Sequence, residues 1–317
     1  MTEQENKYMD SIVQRITSIL PSNYNSETRS GIWDWCLSYN TQVSVNRDTL
    51  EDMSNNNLTW GIFGGDREDL NRLSLINLAK ALGIYGILNT ESDVLKPRKL
   101  PDDISNDEIL QQVENKIGFK INFPEFIGNR IITKTNYGIL TDRHCHYLWM
   151  AKRIMELCPD KNSAILEIGA GIGILGYYLD KVGYKDYTTI DLAYANACQT
   201  YFLARNLPER NIILSKDKEN PFDIEHKDSI KLLHSTDFKN VPKNRFNIII
   251  NIDSLTEMNP EDATTYMQSN CAPLFLSVNH EVNNYRVIDH HEPNRKLVYR
   301  YPFWIREGYV EELYKTI

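Results

Sequence analysis

The stretch Ile165-Leu-Glu-Ile-Gly-Ala-Gly-Ile-Gly-Ile-Leu-Gly176 constrains the fold more than any other part of the chain. An apolar run from Ala164 to Ile168 passes directly into Gly169, Gly171 and Gly173, and a helical pattern follows. Glycines suit such a turn because they accept positive φ and leave the backbone open to a ligand. The N-terminus of the following helix supplies unpaired N–H groups. In an open parallel sheet, ligands bind beyond the carboxyl ends of the strands. The next strand, Tyr187 to Ile190, ends at Asp191 on the same rim, where a carboxylate can accept from both hydroxyls of a ribose.

From about residue 142 the pattern alternates between strands and helices. Asp142 is placed to cap a helix carrying Tyr147 to Leu157, and Ala195 to Leu203 and Glu261 to Ser269 read as helices. Ser229 to Leu233, Phe246 to Ile252 and Pro273 to Val278 read as buried strands. The expected fold class is α/β, a doubly wound, mostly parallel sheet over residues 141–317. Residues 1–140 read as a mainly helical N-terminal region that caps it. There, Met9, Ile12, Val13, Ile16, Ile19 and Leu20 form one helical stripe that Pro21 ends. A second helix is expected to start at Asp66 with Asp69 completing a cap, and Thr90 to Asp107 reads as a loop. Trp33, Trp35 and Trp60 are more simply core residues than sugar-stacking platforms.

Two cofactors could use the glycine turn. Gly171-x-Gly173-x-x-Gly176 matches the dinucleotide fingerprint, with Asp191 near the usual ~20-residue distance, which would make the chain an NAD(P)-dependent oxidoreductase. However, the strand ends at Ile168, so the turn opens with Gly169 and not Gly171. Glu167, at the strand's end, would also repel a pyrophosphate. It suits a cationic ligand without phosphate, such as S-adenosylmethionine, with its ammonium and sulfonium groups.

Glu167-Ile-Gly-Ala-Gly-Ile-Gly173 resembles the first motif of the class I S-adenosylmethionine-dependent methyltransferases, an acidic residue followed by GxGxG. The resemblance covers roughly residues 142–280 and implies a Rossmann-like methyltransferase sheet. It maps the ribose-binding acid onto Asp191 and the adenine border onto Ser235 to Phe238. The donor is then expected on Glu167, Gly169, Ala170, Gly171, Asp191, Leu192, Thr236, Asp237 and Asn251. A closer resemblance, to a bacterial group of sugar O-methyltransferases, rests on Asn251-Ile-Asp-Ser-Leu-Thr-Glu-Met258 and Tyr301-Pro-Phe-Trp-Ile-Arg-Glu-Gly-Tyr309. It implies methyl transfer to a sugar hydroxyl, on a nucleotide-linked sugar or one destined for a surface polysaccharide.

A sugar hydroxyl needs a general base, or a metal ion that lowers its pKa. Asp253 follows the fourth strand, Glu257 comes four residues later on the same helical face, and His280 and Glu281 follow the fifth strand. His280 is the expected base, with Asp253 and Glu257 as catalytic partners. The same trio could bind Mg2+, although nothing in its spacing demands an ion. His144 and His146 flank Cys145 and point to different helix faces, so a zinc site there is not expected. The rival to an enzyme is a non-catalytic methyltransferase-like binding module.

The formal charge of -8 over 317 residues disfavours nucleic acid as a partner. No apolar run reaches the ~20 residues needed for a membrane span. The polar start MTEQENKYMD lacks a leader pattern, and the five cysteines show no CxxC spacing, so a reduced, cytoplasmic setting is expected. The expected partner is a small-molecule or glycan acceptor, with a homo-oligomer left open.

Overall fold

Alternating side chains along the strands divide the interior into two cores, one on each face of a single sheet. The computed structural model describes residues 2–20, 45–52, 67–86, 103–125, 133–283, 285–290 and 294–317. The tryptophans at 33, 35 and 60, Pro21, Cys36, Asp66 and most of the expected 90–107 loop lie outside these residues.

Among the described residues the strands are β1 (Thr133–Thr135), β2 (Gly138–Leu140), β3 (Ile165–Ile168), β4 (Tyr187–Asp191), β5 (Ile212–Leu214), β6 (Ile230–His234), β7 (Ile248–Ile252), β8 (Leu274–His280), β9 (Arg295–Pro302) and β10 (Tyr309–Thr316). The α-helices are α1 (Glu3–Ile19), α2 (Arg47–Glu51), α3 (Glu68–Ala81), α4 (Asn106–Ile117), α5 (Asp142–Leu157), α6 (Ile174–Lys181), α7 (Ala193–Asn206) and α8 (Pro260–Met267). β1 and β2 form a small hairpin. The other eight strands form one sheet in the order β5-β6-β4-β3-β7-β8-β10-β9. β5 through β8 pair in parallel, whereas β10 runs antiparallel to both β8 and β9. The doubly wound α/β expectation therefore holds, with an antiparallel pair at one edge.

Ile165, Tyr187, Ile230, Leu232, Ile248, Ile250 and Leu276 point to one face, where they meet α5, α6 and α7. Leu166, Ile168, Ile190, Leu233, Ile249 and Phe275 point to the other, where Tyr266 and Met267 of α8 cover them. This is the period-two pattern of a sheet buried on both sides. The N-terminal helices add to the first core: Met9, Ile12 and Ile16 of α1, Leu75 and Leu78 of α3, and Ile109, Leu110 and Val113 of α4 belong to it.

Several local expectations change. α3 begins at Glu68 after Arg67, and Asp69 caps nothing but pairs with the Arg67 guanidinium at 2.5 Å. Asp142 is the first residue of α5, and the N-cap is Thr141. Helix α4, strand β5, the β1–β2 hairpin and the β9–β10 pair were not expected. In β9 part-buried Leu297, Tyr299 and Tyr301 alternate with exposed residues and only Arg295 is buried, which weakens its sequence pattern. Cys145, Cys158, Cys198 and Cys271 are free and buried.

Candidate active site

The donor end of the site is built by β3 and its turn. Glu167 is fully buried. The Tyr187 hydroxyl donates to its Oε2, while its Oε1 has no hydrogen-bond partner. Burial raises its carboxyl from 4.5 to about 8, against the Tyr187 hydrogen bond and with help from the Asp191 charge. A buried oxygen without a partner is rare and needs an explanation. A cation reaching Oε1 would satisfy it.

Gly169 sits at φ 70° and Gly173, the N-cap of α6, at φ 88°, both left-handed. A Cβ on Gly169 would lie 2.6 Å from Ser254 Cβ, so this glycine lets the turn after β7 close onto the turn after β3. Gly176 has a packing role: a Cβ there would lie 2.5 Å from Cε1 of the Tyr187 ring.

Asp191 ends β4 on the expected rim, but its oxygens are not free. Oδ1 accepts from the Leu192 amide at 2.8 Å and Oδ2 from Gln199 Nε2 at 2.7 Å. Burial raises this carboxyl to about 7, opposed by those bonds and by the Gly171 and Ala170 amides. A carboxylate offers about four lone-pair sites. With these bonds Asp191 ties the glycine turn to α7, on the rim where the ribose is expected.

The expectation for Asn251 is corrected by its surroundings. It is fully buried. Its Nδ2 donates to Ile168 O at 2.8 Å, and its Oδ1 accepts from the Leu255 amide at 3.2 Å and from Asn279 Nδ2 at 2.8 Å. It shapes the turn and presents no free group to a cofactor. Asp237 accepts from Ser215 Oγ at 2.7 Å and the His234 amide at 3.2 Å, which fixes its own turn, while Thr236 beside it is exposed. Leu192 is half-buried as the N-cap of α7, and Ala170 is buried with its amide toward Asp191.

The second half of the site gathers the expected catalytic residues, by a different route from the one expected. Asp253 and Glu257 do not share an α-helix. Asp253 takes φ 57°, unusual for a residue with a side chain, and a 3-10 turn over Leu255–Glu257 follows. Both carboxylates still reach His280, the last residue of β8. His280 Nε2 lies 3.9 Å from Asp253 Oδ1, 3.8 Å from Glu257 Oε1 and 3.5 Å from Thr256 Oγ1. Its Nδ1 is buried without a hydrogen-bond partner. Glu281 is drawn away into an ion pair with Arg300.

Sequence reasoning missed the groups that surround this trio. Arg143 Nη1 at 3.2 Å and Arg306 Nη1 at 2.9 Å both donate to Asp253 Oδ2, and the Tyr309 hydroxyl donates to Oδ1 at 2.6 Å. Arg306 also lies over the Tyr309 ring at 4.2 Å. Tyr147 faces both halves: its hydroxyl is pushed up by burial and then by the Glu167 charge, with Asp253 adding to it and Arg143 and Arg306 opposing. Arg306 and Tyr309 lie in the Tyr301–Tyr309 segment that carried the closer resemblance. Arg143 is one of three Lys/Arg residues in α5 and had no local pattern to reveal it.

This surrounding decides the metal question. The ligand atoms of Asp253, Glu257 and His280 lie within 4.8 Å of one another. Yet both oxygens of Asp253 are engaged, and two guanidinium groups flank it. A divalent ion would sit against two positive charges, so the donor set does not fit magnesium. His144 and His146 diverge as expected. His144 Nδ1 meets the Tyr178 hydroxyl at 2.9 Å, and the His146 ring meets Phe303 edge-on at 5.7 Å.

No protein-family model and no curated protein matches the chain. Among solved structures, a protein from Pyrococcus horikoshii is similar over 58% of this chain and 92% of its own, at 8% identity and TM-score 0.42. A SAM dependent methyltransferase from Aquifex aeolicus is similar over 52% and 88%, at 14% identity and TM-score 0.35. Magnesium protoporphyrin IX methyltransferase from Synechocystis is similar over 54% and 80%, at 12% identity and TM-score 0.36. Likenesses this weak carry no function to this chain, and the doubly wound fold rests on its own strand order.

Proposed function

We propose that this protein is an S-adenosylmethionine-dependent O-methyltransferase acting on a sugar hydroxyl. The observation that carries the donor assignment is the buried Glu167 with its unpaired Oε1 beside a left-handed glycine turn. That position favours an ammonium or sulfonium and disfavours a pyrophosphate, which speaks against the NAD(P) alternative. Glu167 and the backbone of Gly169 to Gly171 would hold the donor. Bound there, adenosylmethionine supplies a methyl carbon activated by its sulfonium.

The chain's own residues then have two tasks. His280 takes the proton from the acceptor hydroxyl as that oxygen attacks. Asp253 and Glu257, both within 4 Å of its Nε2, favour the imidazolium that results. Arg143, Arg306 and Tyr309 fix the Asp253 carboxylate, so His280 meets a fixed charge and not a mobile one. An intact acid–base trio favours an enzyme over a silent binding module.

The sugar acceptor is supported by the two segments behind the closer resemblance. Asp253 from the first and Arg306 and Tyr309 from the second bond to each other at this rim. A nucleotide-linked or polysaccharide-precursor sugar, and a cytoplasmic setting, follow from the same reading. Among the described residues no helix is long and apolar enough to cross a membrane. Calorimetry with adenosylhomocysteine and with NADH tests the donor assignment. Binding of the thioether alone is expected, and binding of the dinucleotide alone would overturn it.

A further inference from the structure

Four buried polar atoms around this rim lack a hydrogen-bond partner: Glu167 Oε1, His280 Nδ1, Arg143 Nε and His146 Nε2. The donor cation and the acid–base trio account for the first two. The other two belong together and are so far unused. Arg143 and His146 are three residues apart on α5 and share a face. His146 is 3% exposed. Its ring meets Phe303, and the Arg306 amide donates to Phe303 O at 3.2 Å, so the turn between β9 and β10 carries Arg306 to the same place. Both guanidinium charges act on the His146 ring and, with burial, keep it neutral.

Asp253 is the carboxylate shared by Arg143 and Arg306, Asp142 also acts on Arg143, and Glu257 is turned toward His280. Each guanidinium has five N–H donors, yet each gives a single hydrogen bond to Asp253. Arg306 is reachable, with 34% of its side chain exposed, whereas Arg143 at 16% lies deeper. An oxyanion would pair with the spare donors, and the imidazole nitrogen can donate to it in the appropriate tautomer.

We infer that Arg143, Arg306 and His146 form a subsite for an oxyanion carried by the acceptor, so the methylated sugar is an acidic one, bearing a carboxylate or a phosphate ester. This rests on the methyltransferase reading and adds the acceptor's charge to it. Arg306 is the specificity-determining residue, because it is the more exposed of the two guanidinium groups at this rim. His146 supports the subsite from below.

The test uses the full chain saturated with adenosylhomocysteine and measures acceptor binding by ligand-detected saturation-transfer NMR. The probes are glucose, glucuronate and glucose 1-phosphate. A hydrogen bond to a charged group corresponds to roughly a tenfold or greater gain in affinity. At least one charged sugar is therefore expected to bind about ten times more tightly than glucose. Whether glucuronate or the phosphate wins identifies the oxyanion. In Arg306→Gln the gain of a charged sugar over glucose should fall to within about twofold, while Arg306→Lys keeps part of it; the ratio to glucose cancels any loss common to all probes. The inference is overturned if no charged sugar binds better than glucose, or if the gain survives in Arg306→Gln. Failure of the parent protein to bind adenosylhomocysteine would instead defeat the donor assignment, so the two failures are distinguishable.

Discussion

Replacing Glu167 with glutamine should strengthen the ligand-free fold and weaken donor binding, because this carboxyl serves the second at the expense of the first. Burial raises it from 4.5 to about 8. At about 1.4 kcal/mol per pH unit, the buried anion is disfavoured by on the order of 5 kcal/mol. The folded pKa lies above the unfolded one, so the folded chain keeps a proton that the unfolded chain releases. Stability therefore falls as pH rises from about 4.5 to about 8, and the full cost applies above that window. Glutamine cannot ionise, and its amide oxygen can still accept from Tyr187. Urea unfolding at pH 9 is expected to show the variant more stable by at least about 1 kcal/mol, with on the order of 5 kcal/mol as a ceiling.

Donor binding should move the opposite way. A hydrogen bond between charged groups is worth about 1.5–3 kcal/mol, so Glu167→Gln should weaken adenosylhomocysteine roughly 10- to 100-fold. Pairing with a cation also requires Glu167 to ionise. The parent should therefore release a proton on binding at pH 7, and its affinity should climb until about pH 8, where the ligand-free carboxyl titrates. Calorimetry in buffers of different ionisation enthalpy measures that proton directly. If parent and variant share one pH–stability profile and bind adenosylhomocysteine equally, the reasoning about this carboxylate is wrong.

The other predictions address the acid–base trio and its frame. His280→Ala should lower methyl transfer by about 100- to 10,000-fold with little change in adenosylhomocysteine affinity; near-normal turnover would remove His280 as the base. Activity should survive excess EDTA, since two guanidinium groups flank the carboxylate a divalent ion would need; a loss that added magnesium restores would contradict this. Asp253→Asn leaves Arg143 and Arg306 without their counter-charge and should cost roughly 3 kcal/mol in urea unfolding, so an unchanged midpoint would show that the pairs contribute nothing. Gly176→Ala pushes on the Tyr187 ring 2.5 Å away and should cost about 1–3 kcal/mol. It should also weaken adenosylhomocysteine binding, because Tyr187 holds Glu167.

The donor turn was legible in the sequence because its information is local. One strand end, three left-handed glycines and one acid lie within seven residues, Glu167 to Gly173. The acid–base trio was legible as a set of strand ends, since Asp253 follows β7 and His280 closes β8. The expected route failed, because a left-handed aspartate and a 3-10 turn replaced the helix face. The partners of Asp253 were not legible. Arg143 comes from α5 and Arg306 from a turn 163 positions later in the chain, and only the antiparallel β9–β10 pair brings that turn back to the rim. The role given to Asn251 failed for another reason. Position predicts that a polar side chain stands at the rim, but not whether neighbouring amides already bond to it.

The position of Asp253 joins the two halves of the site. Its amide donates to Val278 O at 2.8 Å, which extends the β7–β8 pairing by one bond. The chain must then turn sharply so that Ser254 can pack on Gly169, with its amide held by Asn279 Oδ1 at 3.1 Å. A left-handed residue makes that turn, at a cost of about 1–2 kcal/mol for any side chain other than glycine's. Glycine would avoid the cost but would remove the carboxylate. Three hydrogen bonds to that carboxylate, from Arg143, Arg306 and Tyr309, each contribute about 1.5–3 kcal/mol in a favourable setting, enough to offset the strain. The strained backbone is thus held by the same bonds that aim the carboxylate at His280. Gly169 and Ser254 tie that geometry to the donor turn, so displacing either turn displaces the acid–base trio with it.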